Sequence, residues 1–298
     1  MKKVILLSVM LMASMAISAQ TKIVPQMKKG LKKVYATTAT VSVGGQKDVK
    51  MSSETKYTVT EANADGYVVD MMVTSFATDA DVNDVAGQMI SATQEMMKDV
   101  NVRLQTNKDG QVVSIKNYAE VKKQIDAFGA KIVDKLMESV PQLSEVMSKD
   151  ALKQQIQESV NEQALIRSLK EADGVLMLNG KTPMTGAQEE YVNEKGVKMK
   201  RMYFVNGKSI VTNGSANITK DELKAMIIEQ VEKTMPAQAE IVKQNIDQLL
   251  SSGMLKVDIK ETSTYEMGDD SWVKSVKTES NSEFVGTKTV VKSETVCK

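Results

Sequence analysis

The segment closest to a chemical motif is Gly180-Lys181-Thr182, which ends like the G-x-x-x-x-G-K-[ST] loop that cradles phosphate. That loop needs a glycine five positions earlier, where Val175 stands, and a helix directly after it, where Pro183 stands. Without the helix no row of free amides faces a phosphate, so the segment is read as a loop. Asp79-Ala80-Asp81-Val82-Asn83 begins like a calcium loop with oxygen ligands at alternate positions. Asp84 replaces its turn glycine and Ile90 its bidentate acid, so the aspartates are read as caps for a following helix. Glu189-Glu190 and Asp269-Asp270 are candidates for paired carboxylates of the glycosidase kind. Neighbouring residues on a strand point to opposite faces, so both pairs are expected to be solvated loop charges.

The missing residue types exclude more chemistry than these motifs suggest. The chain has no histidine and one cysteine, Cys297. Serine-histidine-acid and cysteine-histidine nucleophiles therefore have no base, and zinc sites built on histidine or several cysteines have no ligands. A lone cysteine closes no intramolecular disulfide, and Cys297 is read as a small residue on a terminal strand. The formal charge of +1 gives no electrostatic reason to expect nucleic acid as a partner. No catalytic residue, cofactor site or metal site is assigned, the ligand-binding residues are not legible, and the chain reads as non-catalytic. Methionine is abundant at 21 residues while aromatics are only 4%, so flexible thioethers are expected to fill core space.

Met1-Lys2-Lys3, an uncharged run from Val4 to Ile17 and then Ser18-Ala19-Gln20 have the pattern of a secretory leader, residues 1–19, with cleavage expected after Ala19. The run is shorter than the roughly 20 apolar residues a membrane helix needs, and no later stretch approaches that length. The remainder, 20–298, is expected to be periplasmic or secreted, with no membrane span. In an exported bacterial chain Asn213-Gly214-Ser215 and Asn217-Ile218-Thr219 carry little weight as glycosylation sites. Lys220-Asp221-Glu222-Leu223 acts as a retention signal only at the C-terminus.

The elements that must position any site alternate between sheet and helix. Val34 to Val43, Thr55 to Thr60 and Tyr67 to Phe76 are β-branched runs punctuated by Gly44-Gly45 and Asp65-Gly66, the pattern of an antiparallel meander. Val82, Val85, Met89, Thr93, Met96 and Val100 repeat at helical spacing. A hairpin about Asp109-Gly110 follows, and then a helix with the stripe Tyr118, Val121, Ile125, Phe128, Ile132, Leu136 and Val140. After Pro141 a third helix is read through Leu143, Met147, Leu152, Ile156, Val160, Ala164 and Leu169, ending near Gly174. Val197, Met199, Tyr203 and Val205 share one strand face, which Arg201 interrupts. Thr219 and Glu222 form a capping box, Pro236 divides its helix from a continuation through Ala239, Val242, Ile246 and Leu249, and strands return to Cys297 after a turn at Gly268-Asp269-Asp270. These elements give an α+β fold: a large curved, mainly antiparallel sheet with four or five amphipathic helices packed on one face. It forms one domain or two subdomains joined near 174–190.

Lys29-Gly30-Leu31, Tyr35, Tyr57-Thr58-Val59-Thr60, Asp65-Gly66-Tyr67, Val102-Arg103-Leu104-Gln105 and Asp109-Gly110-Gln111-Val112-Val113, behind a leader ending Ser18-Ala19-Gln20, resemble uncharacterised exported proteins of diderm bacteria of the domain-of-unknown-function type. The order of elements is similar to the Lol-type lipoprotein carriers, in which a curved antiparallel sheet wraps around helices. That resemblance implies a concave apolar cavity and the handling of lipid or lipoprotein. The motifs that carry it are turns and strands, so no site residue comes with them. The expected function is the non-catalytic holding of an apolar ligand, a lipid or acyl chain, between sheet and helices. The alternative is a structural or protein-interaction module whose partner is an envelope protein.

Overall fold

The computed structural model describes residues 21–81, 87, 90, 100–139, 148–159, 161–172, 174–193, 197–216, 218–234, 239–251, 257–284 and 287–298. The leader 1–19, most of the helix read through Val82 to Val100, and Val140, Pro141, Leu143, Met147, Val160 and Pro236 lie outside the described residues. A meander opens the fold: β1 (Lys32–Val43), β2 (Val49–Asn63), β3 (Gly66–Thr78), β4 (Asn101–Asn107) and β5 (Val112–Ile115). Helices α1 (Tyr118–Ser139), α2 (Lys149–Ser159) and α3 (Glu162–Ala172) follow. Then come β6 (Gln188–Val192), β7 (Lys198–Asn206), β8 (Ser209–Ala216), α4 (Lys220–Thr234) and α5 (Ala239–Ser251), and β9 (Val257–Met267), β10 (Val273–Phe284) and β11 (Thr287–Cys297) close the order.

The eleven strands make one antiparallel sheet in the order β5-β4-β3-β2-β1-β11-β10-β9-β8-β7-β6. Both halves of the chain meet at its centre, where Tyr35 pairs with Cys297. Cys297 thus sits on the terminal strand as expected. The ladder is not closed. With ten antiparallel steps between them, β5 and β6 run the same way and do not match as antiparallel partners. Strands about 4.8 Å apart would put these edges roughly 48 Å from one another in a flat sheet. Instead Val112 and Val113 of β5 line the same cavity as Glu189 and Tyr191 of β6, so the sheet is rolled until its edges face across a narrow seam.

Two clusters fill the inside of the roll. Tyr35, Tyr57, Val59, Val69, Leu104 and Trp272 pack with Val121 of α1 and Ile166 of α3, which seats these two helices at the β4–β5 end. Met177, Leu178, Tyr203, Ile210, Tyr265 and Val276 form the second. Met27, Met71, Met177 and Met199 fill core space as the composition suggests, but tyrosines 35, 57 and 265 are the largest fully buried side chains. Aromatics are few, but these are concentrated where three or four elements meet, and Tyr35 stacks edge-on against Tyr57 at 5.8 Å.

Local signals explain most boundaries. At the Asp65-Gly66 turn the Asn63 carboxamide accepts from both following amides, and Gly66 has φ 148°. A Cβ there would lie 2.0 Å from the Thr106 carbonyl oxygen, so only glycine fits. The Thr219–Glu222 capping box forms in both directions, at 3.2 Å and 3.0 Å. The single helix read from Pro141 to Gly174 is corrected to α2 and α3. Asn161 ends one and caps the other, its side chain accepting from the Ala164 amide at 2.8 Å. Asp79 accepts from the Lys50 amide, which ties the end of β3 to β2.

Two irregular segments close the roll. Residues 175–179, between α3 and β6, are all buried. Residues 21–30 run as a strap with Ile23, Pro25 and Met27 turned inward. The strap exchanges backbone bonds with this plug, Ile23 with Lys181 and Gly180, at 2.8 Å and 2.7 Å. At its other end the Gln26 carbonyl accepts from the Trp272 indole at 3.1 Å.

Candidate functional site

The seam between the sheet edges holds a cavity of about 380 Å3, within the range of small-molecule sites. Its lining joins the apolar Val112, Leu176 and Met177 to a charged set, Arg167, Lys170, Lys181, Glu189, Tyr191 and Arg201. The register that builds the charged set is legible strand by strand. Glu189 pairs with Arg201, Arg201 with Gly214 and Gly214 with Glu261, so four strands contribute to one row facing inward. Gly214 leaves the row open where Arg201 and Tyr191 reach across it. A Cβ there would stand 3.0 Å from the Tyr191 hydroxyl.

Arg201 is the centre of this row and only 2% exposed. Its guanidinium carbon lies 3.8 Å from the centre of the Tyr191 ring, a cation-π contact. Nη2 comes no closer than 3.7 Å to Glu261, and neither Nε nor Nη2 makes a hydrogen bond. The Tyr191 hydroxyl and Arg167 Nε are also buried without hydrogen bonds. Leaving a buried charged donor unbonded costs free energy that packing alone does not return. Beside it Lys181 reaches both oxygens of Glu189 at 2.8 Å and 2.7 Å and the Tyr203 hydroxyl at 3.1 Å, and that hydroxyl donates to Glu189.

The titration behaviour follows from burial and a surplus of positive charge. Burial pushes the Glu189 carboxyl up, but hydrogen bonds from Lys181 and Tyr203 outweigh it and hold the group below the ordinary glutamate value. Burial lowers Lys181, and the nearby Arg201 adds to this against the pull of Glu189. Lys170 is lowered by burial and then by the charge of Lys181. Burial raises the Tyr191 hydroxyl to about 12, and Tyr203 and Tyr265 are raised further, again by burial first.

A larger groove of about 700 Å3 lies across β1, β9, β10 and β11 on the wet side of the sheet. Its charges are exposed and paired along the ladder, as in Lys277 with Glu294 and Lys292 with Glu279. Such pairs are worth little, and among the described residues none of the buried atoms without a hydrogen bond lines this groove, so the smaller cavity is the better candidate. Among the described residues no group of histidine, cysteine and carboxylate side chains could hold a metal ion, and no helix is long and apolar enough to cross a membrane.

With the geometry in hand, the comparisons with known proteins place the chain in no family. No family model matches the sequence, and no curated protein matches it either. Among solved structures, lipovitellin, described for its lipid-protein interactions, is 8% identical with a TM-score of 0.41 over 92% of this chain. The chain spans 25% of lipovitellin's length. An S-type phycobiliprotein lyase from Guillardia theta is 7% identical with a TM-score of 0.22, covering 89% of this chain and 86% of its own.

Several residues weighed in the sequence meet here. Lys181, from the rejected phosphate loop, is the cation that holds Glu189. Glu189 itself is corrected: it stands on β6 with its carboxylate turned inward and paired, while Glu190 takes the opposite face. Asp269 and Asp270 fit the turn reading, with Asp269 exposed beside Lys208 and Asp270 bonded to Lys33. Arg201 was visible only as a break in an apolar face. Tyr191, Glu261 and Arg167 gave no signal, because three separate segments bring them to the seam.

Proposed function

We propose that this protein is a non-catalytic binding protein of the cell envelope, exported by its leader, that holds an apolar or amphipathic small molecule inside the rolled sheet. The observation that carries the reading is the seam cavity, whose lining joins apolar side chains to a buried guanidinium with Nε and Nη2 making no hydrogen bond. The Glu189 carboxylate is engaged by Lys181 and Tyr203, which suits holding a molecule better than transforming it. Native mass spectrometry and lipid extraction of protein purified from its own envelope test this. A stoichiometric small amphiphile is expected. Protein that carries none and binds no fluorescent fatty-acid analogue overturns the reading.

One observation favours a second reading, an interaction module. Ala187 and Asn193 bond to β7, so on β6 the peptide groups of Gln188, Glu190 and Val192 point away from the sheet, and Val192 is 39% exposed. A strand from an envelope protein could add there in the antiparallel sense. Cross-linking from a photoreactive residue at position 190 returns one stoichiometric protein under this reading and none under the first.

A further inference from the structure

The seam cavity is short of negative charge. Among the described residues, Arg167, Lys170, Lys181 and Arg201 stand with Glu171 and Glu189 in its lining, and Glu261 lies 3.7 Å from Arg201. With every group ionised this leaves an excess of one positive charge.

We propose that the cavity binds an amphiphile with a single carboxylate head, held by the Arg201 guanidinium, with its alkyl chain along Val112, Leu176 and Met177. The proposal rests on the ligand-binding reading above and adds the head group to it. A guanidinium offers a planar fork of donors that matches a carboxylate, and here it lies over the Tyr191 ring with Nε and Nη2 unbonded. Glu261 at 3.7 Å balances part of the charge without taking those hydrogens. A monoanion brings the site to neutrality, whereas a dianionic phosphate overshoots it. The head lies beside the Lys181–Glu189 pair, which stays intact and keeps a second anion from that position.

Titration calorimetry of the delipidated full protein with dodecanoate, dodecanol and dodecyl phosphate, repeated on Arg201→Met and Arg201→Lys, is the test. Dodecanoate is expected to bind one to one and dodecanol at least about tenfold more weakly, the ratio a charge-assisted hydrogen bond supplies. Arg201→Met is expected to bring dodecanoate down to the dodecanol level with a melting temperature equal to or above that of the parent, because a buried charge is replaced by an apolar side chain of similar length. Arg201→Lys, which keeps the charge without the fork, is expected to fall between them and serves if the methionine variant does not fold. Equal binding of dodecanoate and dodecanol, or unchanged dodecanoate affinity in either variant, overturns the carboxylate anchor and leaves the apolar-ligand reading standing. Dodecyl phosphate binding as tightly as dodecanoate overturns the single-charge argument. No binding of any of the three overturns both.

Discussion

Lys181 and Glu189 are half-buried partners whose titrations both make stability rise with pH, in separate windows. Glu189 is held below its ordinary value of 4.5, so the stability it contributes is complete above that pH and is lost as pH falls through the lower folded value. Melting curves of the parent and Glu189→Gln are therefore expected to differ at pH 6 and to draw together as pH falls below 4.5. A constant gap down to pH 3 would show that the carboxylate's charge is not what matters. Lys181 and Lys170 are lowered from 10.5, so the unfolded chain holds their protons longer, and their contribution to stability rises with pH up to that value. The carboxylate Lys181 holds is thus released at the acid end, by protonation of Glu189, and at the alkaline end, by loss of the lysine proton.

Helix ends show where element-scale information is written into single residues. Asn161 does for α3 what Thr219 does for α4, each supplying a side-chain oxygen to an otherwise unbonded amide in the first turn. Asn161→Ala and Thr219→Ala are each expected to cost about 1 kcal/mol in denaturant unfolding. The two differ in reach. The α3 start also carries Glu162, whose carboxylate accepts from the Ile115 amide of β5 at 2.7 Å, so Asn161→Ala is expected to loosen the seam and weaken ligand binding as well. Thr219→Ala, on an exposed helix start away from the cavity, is expected to leave binding unchanged. Equal effects of both variants on ligand affinity would argue against a link between α3 and the site. The strand edges are managed in the same local way: Glu162 covers one free amide of β5, whereas β6 keeps its outward groups open.

For the molecule as a whole, the decisive feature is that the first and last strands pair with each other, so that one sheet runs from edge to edge without a break. A joint near 174–190 would have to part the plug from Ile23, Gly110 and Tyr265, all of which it touches. Trp272 reports on this closure. It is the single tryptophan, 2% exposed, bonded to the strap and 6.3 Å from the Tyr57 ring. Its emission is expected to be blue-shifted, to resist quenching by iodide, and to move red in one transition that coincides with loss of the far-ultraviolet circular dichroism signal. Two resolved transitions would show that the chain unfolds as two units.

The amino-acid sequence by itself determined the strands, the turns between them and the caps. β1 to β5, the Asp65-Gly66 and Asp109-Gly110 turns and the Thr219–Glu222 box are all governed by interactions within a few residues, which spacing and residue type express. It also excluded histidine-based chemistry outright. The break between α2 and α3 was written there too, in Asn161, but the longer apolar periodicity on either side concealed it. Only the tertiary structure decided that 175–179 fill the interior, that residues 21–30 strap the roll shut, and that Glu189, Arg201, Gly214 and Glu261 form one row. Those facts depend on register between strands up to about 70 residues apart in the chain and on the rolling of the sheet, which brings its two edges together. No local pattern encodes such a meeting, because each residue's own neighbours are the same whether the edges meet or not.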